Sequence, residues 1–229
     1  MATIVSVMRT EKKYSITWNQ QSALYHGLSL TMKTDENSDA GGYLVRSLYF
    51  DSIYDNDYFD KIDGLEFRKK IRLRIYSPDQ DTVKLELKQK QGAAQNKKSL
   101  IITRDLAKEM IAGRYIGLME LHSQLAEEFY QMLETGVYRP KCIVDYHRIA
   151  FAEDSNDIRI TFDSEIAASH NCEGFFRKDL SLLPVRKEPV LEVKYNGFLL
   201  SNIKRMLDIA DVPEIAVSKY IMSRQLLGA

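Results

Sequence analysis

Cysteine is scarce in this sequence, and long apolar segments are missing. The two cysteines, Cys142 and Cys172, stand far apart and outside any metal-ligand spacing, which favours free thiols in a reducing compartment over a disulfide framework or a zinc site. No apolar run approaches the roughly 20 residues that span a bilayer, and the N-terminus lacks the apolar core of a secretory signal. The sequence therefore predicts a cytoplasmic protein with no membrane segment in this chain, and a membrane partner encoded elsewhere is compatible with it.

An excess of charge of either sign is also missing. The 229 residues include 32 lysines and arginines and 32 aspartates and glutamates, so the formal net charge is zero. This balance argues against a nucleic-acid-binding protein and against a polybasic protein that binds membranes. Hydrophobic residues make up 45% of the chain, which is enough for a folded core and too many for a disordered protein.

Several motifs of nucleotide-binding and metal-dependent enzymes are absent. The sequence contains no Gly-x-x-x-x-Gly-Lys-Ser/Thr phosphate loop and no dinucleotide-binding fingerprint. The four histidines show no metal-ligand spacing. Any phosphate chemistry must therefore depend on other residues.

A repeated alternation of charged and apolar residues marks several strand-like segments. Residues 68–74 read Arg-Lys-Lys-Ile-Arg-Leu-Arg, and the dyad Glu-x-Lys occurs at residues 11–13, 86–88 and 192–194. Residues two apart point to the same face of a β-strand. Each of these strands therefore offers one charged face and one apolar face, and the natural occupant of a space between the charged faces is a polyanion.

These segments predict an α+β protein built around a closed antiparallel β-barrel with flanking helices. The chain contains about eight strands, mostly joined as hairpins, and five or six helices. The predicted strands cover residues 4–16, 43–50, 65–76, 82–90, 98–102, 141–151, 157–163 and 189–195. No linker or low-complexity segment stands out, so we expect a single domain over residues 1–229.

Strand parity, the rule that residues two apart on a strand share a face, places ten basic and three acidic residues on the charged faces. They are Lys13, Arg68, Lys70, Arg72, Arg74, Lys84, Lys88, Arg148, Arg159 and Lys194, with Glu11, Glu86 and Glu192. A solvated sheet surface with cross-strand ion pairs is the alternative. Exposed pairs contribute only about 0–1 kcal/mol each, so stability gives little reason to align four cations within residues 68–74. We predict instead that the cations bind phosphates and that the glutamates hold Mg²⁺ or Mn²⁺, which prefer oxygen ligands.

Further segments extend this pattern over nearly the whole chain. They are Ser-Leu-Tyr-Phe-Asp at 47–51, Tyr58, Gly64, residues 68–76, Leu-Glu-Leu-Lys at 85–88, Tyr-His-Arg-Ile-Ala-Phe at 146–151, Arg-Ile-Thr-Phe-Asp at 159–163, Leu-Glu-Val-Lys-Tyr-Asn-Gly at 191–197 and Ser-Lys-Tyr at 218–220. In this order they resemble the VTC domain, the polyphosphate polymerase domain of the vacuolar transporter chaperone complex. That family belongs to the triphosphate tunnel metalloenzymes and is related to CYTH proteins.

The resemblance implies transfer of the ATP γ-phosphate to a growing inorganic polyphosphate chain inside a basic tunnel, with Mn²⁺ or Mg²⁺. Its phosphate-binding cations correspond to Lys13, Arg72, Arg74, Lys88, Arg148 and Arg159. It also implies Lys97 or Lys98 and Lys219 as basic site residues and Glu192 as the metal ligand. Arg68, Lys70 and Lys194 join the predicted substrate-binding set, and Glu86 and Glu11 join the predicted metal ligands.

Other functions fit the same residues. A triphosphate or polyphosphate hydrolase would use a glutamate to orient water, and a non-catalytic polyphosphate-binding module would need no turnover. The tunnel superfamily often begins with Glu-x-Glu-x-Lys, and Arg9 at the first of these positions argues against a simple triphosphatase. A nucleic-acid-binding barrel would place aromatic residues among the cations, and none stands between Arg68 and Tyr76. We therefore predict a polymerase whose partners are ATP and polyphosphate rather than nucleic acid, with no prediction of its oligomeric state.

Overall fold

An antiparallel sheet with helices packed on it forms the fold, in agreement with the predicted α+β class. A computed structural model describes residues 2–7, 10–35, 41–92 and 94–228. The strands are β1 (Ala2–Val7), β2 (Thr10–Ser15), β3 (Lys33–Thr34), β4 (Tyr43–Ser52), β5 (Phe67–Ile75), β6 (Thr82–Gln91), β7 (Ala94–Thr103), β8 (Tyr138–Glu153), β9 (Ile158–Ser169), β10 (Leu183–Pro184) and β11 (Val190–Tyr195). The helices are α1 (Trp18–Ser29), α2 (Asn56–Ile62), α3 (Arg104–Ile111), α4 (Gln124–Thr135), α5 (Ser201–Ala210) and α6 (Lys219–Leu226).

The sheet runs in the order β1-β7-β6-β5-β4-β8-β9-β11-β2, while β3 and β10 pair at its side with β8 and β9. The single strand predicted over residues 4–16 is wrong, because β1 and β2 lie at opposite ends of this order and residues 8–9 fall outside the described residues. Pairing of β1 with β7 and of β2 with β11 is long-range, and no local pattern reports it.

The chain connection requires the sheet to curve. β1 ends at Val7 and β2 begins at Thr10, and with Cα atoms 3.8 Å apart along the chain these two residues are separated by at most about 11 Å. The two end strands therefore come close at one point. No β1–β2 hydrogen bond is found within the described parts of the chain, so full closure of the barrel stays a prediction.

The two faces of the sheet differ as strand parity predicts. Ile71, Leu73 and Ile75 of β5 are completely buried in an apolar core with α3 and α4. Helices α1 and α5 cover a second core over β9 and β11. None of the described helices combines the length and apolar character of a membrane span.

Helix α6 packs on the other, charged face of the sheet. Its Tyr220 stacks on Tyr49 of β4 with ring centroids 4.9 Å apart and donates a hydrogen bond to Asp51 at 2.6 Å. The segment before α6 runs along β2, where the Ile215 amide donates to the Lys13 carbonyl at 2.8 Å. Ser218 caps the helix by accepting a hydrogen bond from the Ile221 amide. The chain therefore returns to the charged face at the start of α6.

Candidate functional site

The charged face of the curved sheet lines a cavity of about 620 Å³. Its lining consists of Glu11, Lys13, Lys61, Arg68, Lys69, Lys70, Lys88, Lys90, Gln95 and residues 214–218. Although β6 and β2 are far apart in the sheet order, Lys88 Nζ lies 3.0 Å from Glu11 Oε2. Charged side chains from distant strands therefore converge, and most charges along this cavity are positive.

Glu86 is the centre of one ion-pair network on this face. It is 1% exposed, and its carboxylate lies 2.7 Å from Arg72 Nε, 3.7 Å from Arg74 Nη1 and 2.6 Å from Lys97 Nζ. Burial raises the pKa of Glu86, but the charges of Arg72, Arg74 and Lys97 outweigh it and hold the pKa well below its usual value. Glu86 is therefore ionised and holds three predicted site cations in place.

Asp163 of β9 is the centre of a second network. The fully buried carboxylate accepts hydrogen bonds from Arg148 Nε at 2.6 Å and Nη2 at 2.8 Å, and Lys219 Nζ lies 2.6 Å away. Burial raises the pKa of Asp163, and the charges of Arg148 and Lys219 lower it to about 2. Asp163 was not among the predicted site residues, although it shares a strand face with Arg159, four residues earlier.

Glu11 and Glu192 lie close together around Lys13. The ammonium of Lys13 is 3.2 Å from Glu11 Oε1 and 4.0 Å from Glu192 Oε2, and Lys194 forms an ion pair with Glu192. Burial and Glu192 raise the pKa of Glu11, but Lys194, Lys88 and Lys13 lower it to about 2. Burial likewise raises the pKa of Glu192, and nearby lysines hold it well below its usual value. Both carboxylates are therefore ionised near neutral pH.

This pair of carboxylates fits the coordination chemistry of Mg²⁺ or Mn²⁺. Mg²⁺ usually binds through one or two carboxylates, several waters and substrate phosphates. No group of three or more acidic, histidine or cysteine side chains converges as a metal site in the described part of the chain. Glu11 and Glu192 also pair with lysines, but Glu86, the third predicted metal ligand, is more deeply buried and is engaged by three cations. Glu192 and Glu11 are thus the better candidates for a shared ion.

A family model described as the VTC domain matches residues 8–228, nearly the whole chain. The chain belongs to the VTC domain family. A search of curated proteins finds no match to this VTC domain.

Solved structures that resemble this VTC domain share its fold at low sequence identity. A putative adenylate cyclase from Bacillus halodurans has a TM-score of 0.55 and 12% identity, and the alignment covers 97% of this chain and 100% of that chain. A putative adenylyl cyclase from Hippeastrum, HpAC1, has a TM-score of 0.55 and 13% identity, with coverage of 98% and 96%. The second is described as having a dominant triphosphatase activity. At such identities the likeness shows the fold alone.

Two predicted site residues of the VTC domain, Lys98 and Arg159, form ion pairs outside the networks around Glu86 and Asp163. Lys98 faces α4, where its Nζ is 2.6 Å from Glu128, and the register pairs it with Leu87 of the apolar face. Of the two alternatives, Lys97 alone is therefore on the charged face. Arg159 lies near the start of β9, opposite Lys194 of β11, and its Nη1 is 2.5 Å from Asp35. Arg9, which stands where the tunnel superfamily often has glutamate, lies outside the described residues.

Arg68 and Lys70 form no ion pair with a carboxylate in the described ranges, and the same holds for Lys61 and Lys90 of the cavity lining. The predicted cation Lys84 lies over the Tyr76 ring instead of meeting a carboxylate. Lys70 Nζ lies 2.8 Å from Ser218 Oγ and 5.5 Å from the Tyr220 ring centroid. Burial, followed by the charges of Lys13 and Lys88, lowers the pKa of Lys70 to about 7. Sequence reasoning missed Ser218 and the cavity residue Lys61, because strand parity says nothing about helices and their caps.

Lys70 is expected to react with a trace of acetic anhydride at neutral pH at least about tenfold faster than an exposed lysine, because only the neutral amine is nucleophilic. Tripolyphosphate should protect it by occupying the cavity. Peptide mass spectrometry measures both effects, with exposed Lys187 as the internal control. Equal labelling of Lys70 and Lys187, with no effect of tripolyphosphate, would contradict this description of the cavity.

Proposed function

We propose that this VTC domain transfers the γ-phosphate of ATP to a growing inorganic polyphosphate chain. The observation that supports the proposal most directly is the predominantly basic cavity, in which Arg68 and Lys70 lack carboxylate partners among the described residues. A polyphosphate chain would supply the missing negative charge. At an effective dielectric constant near 20, a cation about 4 Å from a phosphate oxygen gains about 4 kcal/mol before desolvation.

Arginine side chains next to the cavity retain donors for phosphate. Arg72 uses Nε for Glu86 and Nη1 for the Tyr49 hydroxyl, and a guanidinium has five N–H donors in all. The remaining donors can bind phosphate oxygens while Glu86 keeps the guanidinium oriented. Phosphoryl transfer depends mainly on such positioning and charge stabilisation, so a phosphate chain end can attack without a protein nucleophile.

Glu192 and Glu11 are the residues that would hold Mg²⁺ or Mn²⁺. A bound ion supplies charge neutralisation on the phosphate oxygens. Lys13 lies between the two carboxylates and lines the cavity, so it can contact the same phosphates. We also propose that the curved sheet forms a tunnel within one domain, residues 1–229, which would let a long chain pass while its end stays among the cations.

The decisive experiment is product analysis. Purified protein incubated with ATP and Mn²⁺ is expected to produce long chains on a polyphosphate gel. Orthophosphate as the only product would contradict the polymerase and favour hydrolysis. Hydrolysis is the second candidate because the structurally similar Hippeastrum protein is described as mainly a triphosphatase. If neither polyphosphate nor orthophosphate forms, a polyphosphate-binding module is the remaining candidate.

Glu192→Gln is expected to lower the transfer rate at least about a hundredfold, because metal-assisted charge neutralisation supplies several kcal/mol. Its affinity for polyphosphate should remain or increase, since Lys13 and Lys194 lose a carboxylate neighbour. Polyphosphate gels and equilibrium binding measure the two effects separately. The matched control is Glu188→Gln, which makes the same change at an exposed position just before β11. Equal activity of the two variants would rule out Glu192 as a metal ligand in catalysis.

A further inference from the structure

The hydroxyl group of Ser218 and the amine of Lys70 form a close pair in the cavity. Transfer of a phosphate from ATP to the end of a polyphosphate chain does not require this pair. Ser218 Oγ lies 2.8 Å from Lys70 Nζ, and both residues line the 620 Å³ cavity. The two residues are 148 positions apart in the chain. Serine next to an amine base is a recurring arrangement for nucleophilic catalysis, in which the amine takes the hydroxyl proton.

The surroundings of Lys70 favour the neutral amine that such a base needs. The charges with the largest effect on Lys70 are Lys13 of β2, Lys88 of β6, Lys61 of α2 and Arg72 of β5, all cations, while the carboxylate of Glu11 in the same cavity pairs with Lys88 and Lys13. Burial and this repulsion place the pKa of Lys70 at about 7, so a large share of the molecules carries a free amine near neutral pH. A triphosphate that enters the cavity raises the pKa of Lys70, so the neutral amine then predominates only at a higher pH than in the empty cavity.

The position of Ser218 would also stabilise a phosphorylated product. Ser218 is the N-cap of the eight-residue helix α6, and its Oγ accepts a hydrogen bond from the Ile221 amide at 3.4 Å. A phosphate at a helix N-terminus interacts favourably with the free amides of the first turn. Lys13 Nζ, 3.1 Å from the carbonyl of the preceding Val217, and Lys70 Nζ add positive charge beside it.

We propose that Ser218 is a phosphoryl acceptor, with Lys70 as its general base and a metal-bound nucleoside triphosphate as the donor. The bond between Ser218 Oγ and the γ-phosphorus forms, the bond between that phosphorus and the β–γ bridging oxygen breaks, and the nucleoside diphosphate leaves. The hydroxyl proton passes to Lys70 Nζ, so the product is phosphoserine. The inference rests on the proposed function, because it requires a triphosphate in the same cavity.

The test is a labelling reaction with the full chain. Protein is incubated with Mn²⁺ and ATP labelled in the γ-phosphate, denatured, treated with acid and mapped by peptide mass spectrometry. We expect acid-stable label on Ser218.

The Ser218→Asn variant, which keeps a good helix cap, should carry no label at this position. Lys70→Met should slow labelling about a hundredfold, a typical contribution of a general base, and should abolish the rise in labelling rate as the pH increases from neutrality into the alkaline range. Lys187→Met, at an exposed site, should change nothing.

Polyphosphate and orthophosphate are measured in the same reactions, so that failure of the phosphoserine proposal can be distinguished from failure of the proposed function. Turnover of ATP with no label on Ser218 would overturn the phosphoserine proposal and leave the proposed function intact. Label that persists in Ser218→Asn, or that is lost in acid as expected for phosphate on the Lys70 nitrogen, would also overturn it. Labelled Ser218 without polyphosphate would support the phosphoserine and contradict the polymerase. Absence of both label and turnover would contradict both.

Discussion

Arg72→Ala is expected to reduce ATP-dependent phosphoryl transfer at least about a hundredfold. A charge-assisted hydrogen bond between a guanidinium and phosphate is about twice as strong as a neutral one, and each 1.36 kcal/mol of lost transition-state stabilisation slows a reaction tenfold. Loss of a few kcal/mol therefore gives this result. The charge of Arg72 also keeps Glu86 ionised and oriented, so part of the effect arises through that carboxylate.

The fold should survive Arg72→Ala. Glu86 keeps Lys97 at 2.6 Å and Arg74 at 3.7 Å, so its buried charge remains compensated. The apolar residues of β5 face the opposite side of the sheet. Initial rates with ATP and Mn²⁺, together with a thermal unfolding curve, measure the two consequences.

The control for this variant is Arg114→Ala. Arg114 is an arginine at an exposed position after α3, paired with Glu109 on the surface. The Arg114→Ala variant should retain full activity. An Arg72→Ala protein that is unfolded at ordinary temperature would show that Arg72 does not project into the cavity, and one with unchanged activity would exclude it from catalysis.

Asp163→Asn is expected to lower the free energy of unfolding by about 3–5 kcal/mol at neutral pH. Removing one partner of a buried ion pair leaves the other charge uncompensated, which is the costly outcome. Asp163 is fully buried, and both Arg148 and Lys219 depend on it. Asparagine keeps the size of the side chain, so the change isolates the charge. Denaturant unfolding measures the difference.

The pH dependence of this difference follows from the pKa of Asp163, which is lowered to about 2 in the folded protein. A lowered pKa stabilises the fold at pH values above the unfolded pKa of about 3.9, and this contribution is lost as the pH falls towards 2. The deficit of Asp163→Asn should therefore be complete at neutral pH and shrink in acid. Asp179→Asn makes the same change in an exposed pair with Arg177 and should leave the denaturant unfolding curve nearly unchanged. Equal costs for the two variants would show that Asp163 is not a buried ion-pair partner.

The assignment of side chains to the two faces was predictable from the sequence. Residues two apart on a strand share a face whatever surrounds the strand. Alternation alone therefore separated Arg72 and Arg74 from Ile71 and Leu73, and the structure places the first pair beside Glu86 and the second in the apolar core. Between Lys97 and Lys98 alternation could not decide, because neighbouring residues exchange faces with a shift of one in the register.

Strand pairing and the position of α6 could not be read from local patterns. Residues 4–16 have the character of one strand, yet β1 and β2 pair at opposite ends of the sheet. Helix α6 is amphipathic like the outer helices, but it packs against Tyr49 and Tyr146 on the charged face. Both outcomes depend on contacts between residues far apart in the chain, and a local pattern carries no information about such contacts.

The sequence by itself determined the α+β class, the VTC family resemblance and the alternation of charge, because each is carried by residue order over short distances. Only the tertiary structure decided which acid each cation meets. Asp163 binds Arg148 and Lys219, whereas Lys70 meets the Ser218 hydroxyl instead of a carboxylate. The physical reason is the curvature of the sheet and the return of the C-terminal segment, which bring charges from distant strands and the start of α6 into one cavity.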